Sequence, residues 1–101
     1  MVTENPDQEN SLWSKPFELC PGVMMNKPTV LSSGVILLPV SNWKRERYCK
    51  PPETVTAEVH TLDLRTRQAS FLGGAGSEQE AKCFDEHMLV ELRDGRVWML
   101  V

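Results

Sequence analysis

The chain has 101 residues, enough for one small domain with its own core but not for two. With 41% hydrophobic and 25% charged residues, it has the composition of a folded protein and not of a disordered one. Eleven Lys and Arg against fourteen Asp and Glu leave no electrostatic footprint for nucleic acid. No apolar stretch approaches the roughly 18 residues needed to span a bilayer.

Residues 1–15 are polar and acidic, without a basic start or an apolar h-region, so they do not read as a signal peptide. Strand signals begin near residue 29. Segments 29–31 and 35–40 flank Ser32-Ser33-Gly34, a hairpin whose Gly can supply the positive φ of a tight turn. Lys44, Arg45, Arg47 and Lys50 form a local basic cluster that reads as a solvated loop. Residues 54–62 alternate cleanly, with Val55, Ala57, Val59 and Thr61 on one face and Thr56, Glu58 and His60 on the other, which predicts a half-buried strand. A turn at residues 63–66 leads into a short strand at 69–72, completing four sequential antiparallel strands, the content of one propeller blade.

Residues 77–82 alone have the composition of a helical turn, and they read as lying in a loop that follows Gly73, Gly74 and Gly76. A second hairpin follows, with strands at 89–92 and 97–101 flanking Arg93-Asp94-Gly95-Arg96. It repeats the first: Leu31-Ser32-Ser33-Gly34 before an apolar strand corresponds to Leu92-Arg93-Asp94-Gly95 before another. The apolar run Val97-Trp98-Met99-Leu100-Val101 ends without a turn or polar cap, which predicts partners on both faces and both edges and favours a truncated chain.

Cys20, Cys49 and Cys83 form no CxxC pair and are odd in number, so small buried hydrophobes are expected and not a zinc site, redox motif or disulfide framework. His60 and His87 stand without a carboxylate at a recognised ligand spacing, and no metal or cofactor is called for. Glu91, within its strand, reads as a structural ion-pair partner. Trp13, Trp43 and Trp98 could stack on sugar rings, but Trp98, in an apolar strand, is expected in the core.

The stretch from Phe84 to Val101 resembles the bacterial exo-sialidase pattern: a polar residue and Glu, an apolar strand carrying a second Glu, a Leu-x-Asp-Gly turn, and an apolar strand ending in Arg. Residues 27–40 are similar to the inner hairpin of the preceding blade in that family. Leu12-Trp13-Ser14-Lys15-Pro16 resembles the tail of an Asp-box, and Thr61-Leu62-Asp63 with Phe71-Leu72-Gly73 a degraded second one. The resemblance implies an all-β fold, a fragment of a six-bladed β-propeller: one blade over about residues 27–72 and the start of the next over about 84–101.

It also implies a glycoside hydrolase that removes terminal sialic acid or a related acidic sugar from glycans. In that family a Tyr is the nucleophile, an exception to the two-carboxylate scheme. A phenol, with an ordinary pKa near 10, needs a neighbouring carboxylate to take its proton, and the alignment gives that role to Glu86. The family's Asp acid and its three carboxylate-clamping Arg have no counterparts here. The only Tyr, Tyr48, lies in the basic loop, and the first Arg would fall just after Val101. Asp85 stands where the family often has Asn, and His87 follows; the fragment alone is expected to be inactive. The expected partners are a sialoside-like glycan and the remaining blades; the parent's location stays open, with a secreted or periplasmic parent as one option. Two alternatives stay open: a non-catalytic propeller that binds glycan or protein, since fold does not fix function, and an autonomous small β domain.

Overall fold

The computed structural model describes residues 1–41, 57–75 and 86–100. Trp43, the basic cluster with Tyr48, Cys49, residues 54–56, the helix-like segment 77–82, Cys83, Asp85 and Val101 lie outside the described residues. All regular structure among the described residues is antiparallel β-sheet, and no helix there is long and apolar enough to cross a membrane.

Four strands pair strictly in chain order: β1 (Thr29–Val30), β2 (Ile36–Ser41), β3 (Ala57–Asp63) and β4 (Gln68–Ala75). A separate two-stranded sheet is formed by β5 (Met88–Glu91) and β6 (Val97–Leu100). The expected meander and second sheet are therefore present. Pro39 sits inside β2, a position that normally argues against a strand. It is tolerated because β1 ends opposite Leu37, so no ladder hydrogen bond is required at position 39 on the β1 side.

The two hairpin turns share one geometry. In the first, Gly34 N–H donates to Leu31 O (2.8 Å) and Leu31 N–H to Val35 O (2.8 Å); in the second, Gly95 N–H donates to Leu92 O (2.9 Å) and Leu92 N–H to Arg96 O (2.8 Å). Gly34 and Gly95 both have positive φ, 86° and 83°. This is the three-residue loop in which a left-handed Gly closes the turn.

β4 runs past its expected end at Leu72, through Gly73 and Gly74 to Ala75: Val59 pairs with Gly73 while His60 pairs with Phe71, so Leu72 is the extra residue of a β-bulge that lets the strand continue. The expected alternation of β3 is present and its burial is partial, with Ala57 buried on one face, His60 on the other and most of the remaining residues half-buried. His60 shares its face with Leu38, Val40 and Phe71.

The other face of the four-stranded sheet meets the second sheet. There β5 packs against β1 and β2, whereas β6 stands away from β3 and β4. The two sheets thus touch along one side and open on the other into an apolar cleft of about 390 Å³. Val59, Thr61 and Leu72 form one wall, Leu89 the base, and Val97 and Met99 the opposite wall. Among the described residues the buried apolar core is Leu37, Leu38, Val40, Ala57 and Leu89, and it centres on β2 and its contact with β5.

Trp98 is not core. It is 54% exposed, on the outer face of β6 opposite Val90, and Met88 and Leu100 are exposed beside it. Its strand turns Val97 and Met99 toward the open cleft instead.

Candidate functional site

Glu86 lies at the entrance to β5, and its position is set through the backbone. Asn26 Nδ2 donates to Glu86 O (2.7 Å) and to His87 O (3.1 Å), tying the approach of β5 to the chain just before β1. The carboxylate itself is exposed and makes no hydrogen bond or ion pair with the described residues. What it can do chemically in this setting is act as a solvated base or accept a hydrogen bond from an incoming donor.

His87, next in the chain, is fully buried and points the other way. A carbonyl can only accept, so His87 Nε2 carries the proton it donates to Glu58 O (2.8 Å), hooking β5 onto the middle of the larger sheet. Nδ1 is then the acceptor, buried and without a partner among the described residues. The alternation of a strand accounts for the pair: with His87 turned inward, Glu86 is turned out.

Two more side chains hold the sheets in register. Thr29 Oγ1 donates to Leu89 O (2.8 Å). Glu91, expected to be an ion-pair partner, instead accepts from Ser32 N–H (2.7 Å) and Ser32 Oγ–H (2.8 Å), so it caps the β1–β2 turn with both carboxylate oxygens. Its role is structural, but its partner is a turn and not a cation. Asn26, Thr29, Ser32 and Glu91 together form a polar seam along the side where β5 meets β1.

On the far face of the larger sheet, Glu58 Oε2 lies 2.8 Å from His60 Nε2, and the His60 ring meets Phe71 edge to face at 5.6 Å between centroids. The spacing of two along a strand, which puts both side chains on one face, was the local signal for this pair. A carboxylate-oriented imidazole is a common proton-relay element. Cys20, the one cysteine among the described residues, does not complete a nucleophilic site: burial, and then the carboxylates of Glu58 and Glu18, push its thiol above the ordinary range and keep it protonated at neutral pH. Among the described residues no group of three or more His, Cys, Asp or Glu side chains could hold a metal ion.

Trp13 is 55% exposed, in the N-terminal segment well before β1. The Asp63 carboxylate, placed in the degraded Asp-box, accepts from Arg65 N–H (2.8 Å) and Thr66 N–H (3.4 Å) and so closes the β3–β4 turn. The structure therefore brings Glu86 together with Asn26 and His87, and it does not bring Glu86 to Trp13 or to the Glu58–His60 pair. The partners Asn26, Ser32 and Glu58 were missed because they lie across the fold from β5 with no local sequence signal. Comparison with protein families, with curated proteins and with solved structures finds no match to this chain.

Proposed function

We propose that the chain is one blade and the inner hairpin of the next from a sialidase-type β-propeller, and that the parent protein removes a terminal acidic sugar from glycans. The observation that carries this reading is the stacking of two hairpins with the same turn. β5 lies against β1 and β2 at the inner side of a four-stranded meander, and Glu86 is held outward at the entrance to β5 by Asn26. Successive blades require that face-to-face relation of their first strands, with the outer strands diverging.

In this reading Glu86 takes the phenolic proton of a Tyr supplied elsewhere in the parent as the oxygen attacks the anomeric carbon. An Asp of the parent protonates the leaving group, and Arg side chains clamp the sugar carboxylate through bidentate bonds. The described residues contribute one carboxylate to that set and no more.

A non-catalytic propeller that binds glycan or protein is the second reading. It is favoured by the isolation of the Glu86 carboxylate, which has no hydrogen-bonding partner among the described residues to tune it.

Turnover of a sialoside by the parent separates the two. Glu86→Gln, nearly isosteric but unable to accept the proton, should lower turnover by about 10²–10⁴-fold with the fold intact. Glu91→Gln should have a much smaller kinetic effect, because Glu91 acts on a turn. Equal, near-wild-type turnover in both variants removes Glu86 from the mechanism, and glycan binding without hydrolysis by the wild type makes the non-catalytic reading the better one.

A further inference from the structure

Residues 2–14 belong to no strand, yet they close into a compact loop. Val2 N–H donates to Ser14 Oγ (2.9 Å) and Ser14 N–H to Val2 O (2.9 Å), which joins the two ends. Inside the loop, Gln8 N–H donates to Asn5 O (3.3 Å) and Ser11 N–H to Gln8 O (3.1 Å), and the Ser11 hydroxyl is shared between the same two carbonyls. Surface loops of this length with joined ends pack on their own side chains and frequently carry function.

Arg67, from the β3–β4 turn, lines a cavity of about 400 Å³ together with this loop. It is a non-glycine residue with φ 58°, a left-handed conformation that a side chain disfavours. Its guanidinium carbon lies over the Phe17 ring, 5.1 Å from the centroid. Contact with a ring face leaves the N–H donors in the guanidinium plane for other partners, and they make no hydrogen bond or ion pair with the described residues. A strained backbone position that holds an unpaired cation at a cavity is an outlier of the kind that clusters at ligand sites.

The other charged side chain among the lining residues is Glu4. It makes no hydrogen bond or ion pair with Arg67 or with any other described residue. Asn5, Gln8 and Asn10 also line the cavity, their side-chain amides unengaged by the described residues, and Leu12 adds an apolar patch.

We infer that this cavity binds a free α-amino acid with a polar side chain, its carboxylate on Arg67 and its ammonium on Glu4. The charge pattern selects that class. A simple anion would meet Arg67 but also face the Glu4 carboxylate, and a simple cation would leave Arg67 unmatched; a zwitterion answers both. The guanidinium takes a carboxylate through two parallel N–H bonds. Amides on the wall both donate and accept, which suits a ligand side chain that does the same, such as another amide. The cavity shares no residue with Glu86 and its supports Asn26 and His87, so the inference is independent of the glycosidase reading.

The test is a titration of the isotope-labelled full chain with L-glutamine, read by nuclear magnetic resonance. The signals followed are the Arg67 guanidinium, the side-chain amides of Asn5, Gln8 and Asn10, and the backbone amides of residues 2–14. Because both charged partners are exposed, half-saturation is expected at about 1–10 mM. L-Glutaminamide, which lacks the carboxylate, and N-acetyl-L-glutamine, which lacks the ammonium, should each bind about fivefold more weakly or worse. Arg67→Gly should remove the response while the β3–β4 turn persists, since Gly adopts the left-handed conformation without a steric penalty. Glu4→Gln should instead erase the preference for the ammonium, so that N-acetyl-L-glutamine binds as well as L-glutamine.

No saturable response up to about ten times the expected range overturns the inference. So does an equal response to all three compounds, or an unchanged response in Arg67→Gly. Tighter binding of N-acetyl-L-glutamine than of L-glutamine would assign the cavity to a simple anion. Selectivity that survives Glu4→Gln would show that Glu4 does not hold the ammonium, and the zwitterion assignment would fall.

Discussion

Two aspartates at turns set the behaviour of the residues at low pH. The backbone N–H groups of Arg65 and Thr66 hold the Asp63 carboxyl below the ordinary range, and the Arg96 guanidinium, with Arg96 N–H, does the same for Asp94. Both carboxyls are lowered in the folded state, so the stability they add is fully present above the unfolded carboxylate value of about 3.9 and is lost as pH falls through the lower folded values. The double variant Asp63→Asn, Asp94→Asn should therefore show a shallower fall of the urea midpoint between about pH 5 and about pH 2 than the wild type. A fall as steep as the wild type's would place the acid sensitivity elsewhere. The two hydrogen bonds of Glu91 reach across the fold to Ser32, whereas Asp63 and Asp94 serve their own turns.

At the scale of elements the fold depends on two turns of one kind. Nothing lies within 4 Å of a Cβ built on Gly34 or Gly95, so replacing either by Ala costs backbone strain alone, about 1 kcal/mol at a left-handed position. Chemical denaturation of Gly34→Ala and Gly95→Ala should show each variant destabilised by about that amount, and a gain in stability would mean that the turns are not formed as described.

These turns were legible in the sequence because Gly after two small or polar residues, followed by an apolar run, has one economical conformation. The alternation of residues 57–62 likewise located β3. The extent of β4 was not legible, since Gly73 and Gly74 carry a loop signal and only the bulge at Leu72 explains how the ladder passes through them. The burial of His60 and the exposure of Trp98 were also missed. Each is decided by what covers a sheet face, and a strand's own alternation does not say which faces will be covered. Glu86 could be named from a pattern, but the hold of Asn26 on its backbone joins residues 60 apart and left no local trace.

Across the described residues a core of five buried apolar side chains stands against much exposed apolar surface. Phe71 and Leu72 on β4, and Trp98 and Leu100 on β6, are each about half exposed or more, and both strands are sheet edges. Such edges are templates for pairing with another chain. Sedimentation velocity of the isolated chain should show association that grows with concentration, with a broad thermal transition. A monodisperse monomer that melts sharply would instead mark an autonomous domain.

The central claim is that the two hairpins are stacked as successive repeats and are not halves of one closed sandwich. The most direct measurement is the pattern of backbone nuclear Overhauser contacts in the labelled chain. Cross-strand contacts are expected at Met88 with Leu100 and Val90 with Trp98, side-chain contacts from Thr29 to Leu89, and none between the backbones of β2 and β6. Backbone pairing of Ile36–Ser41 with Val97–Leu100 would contradict it.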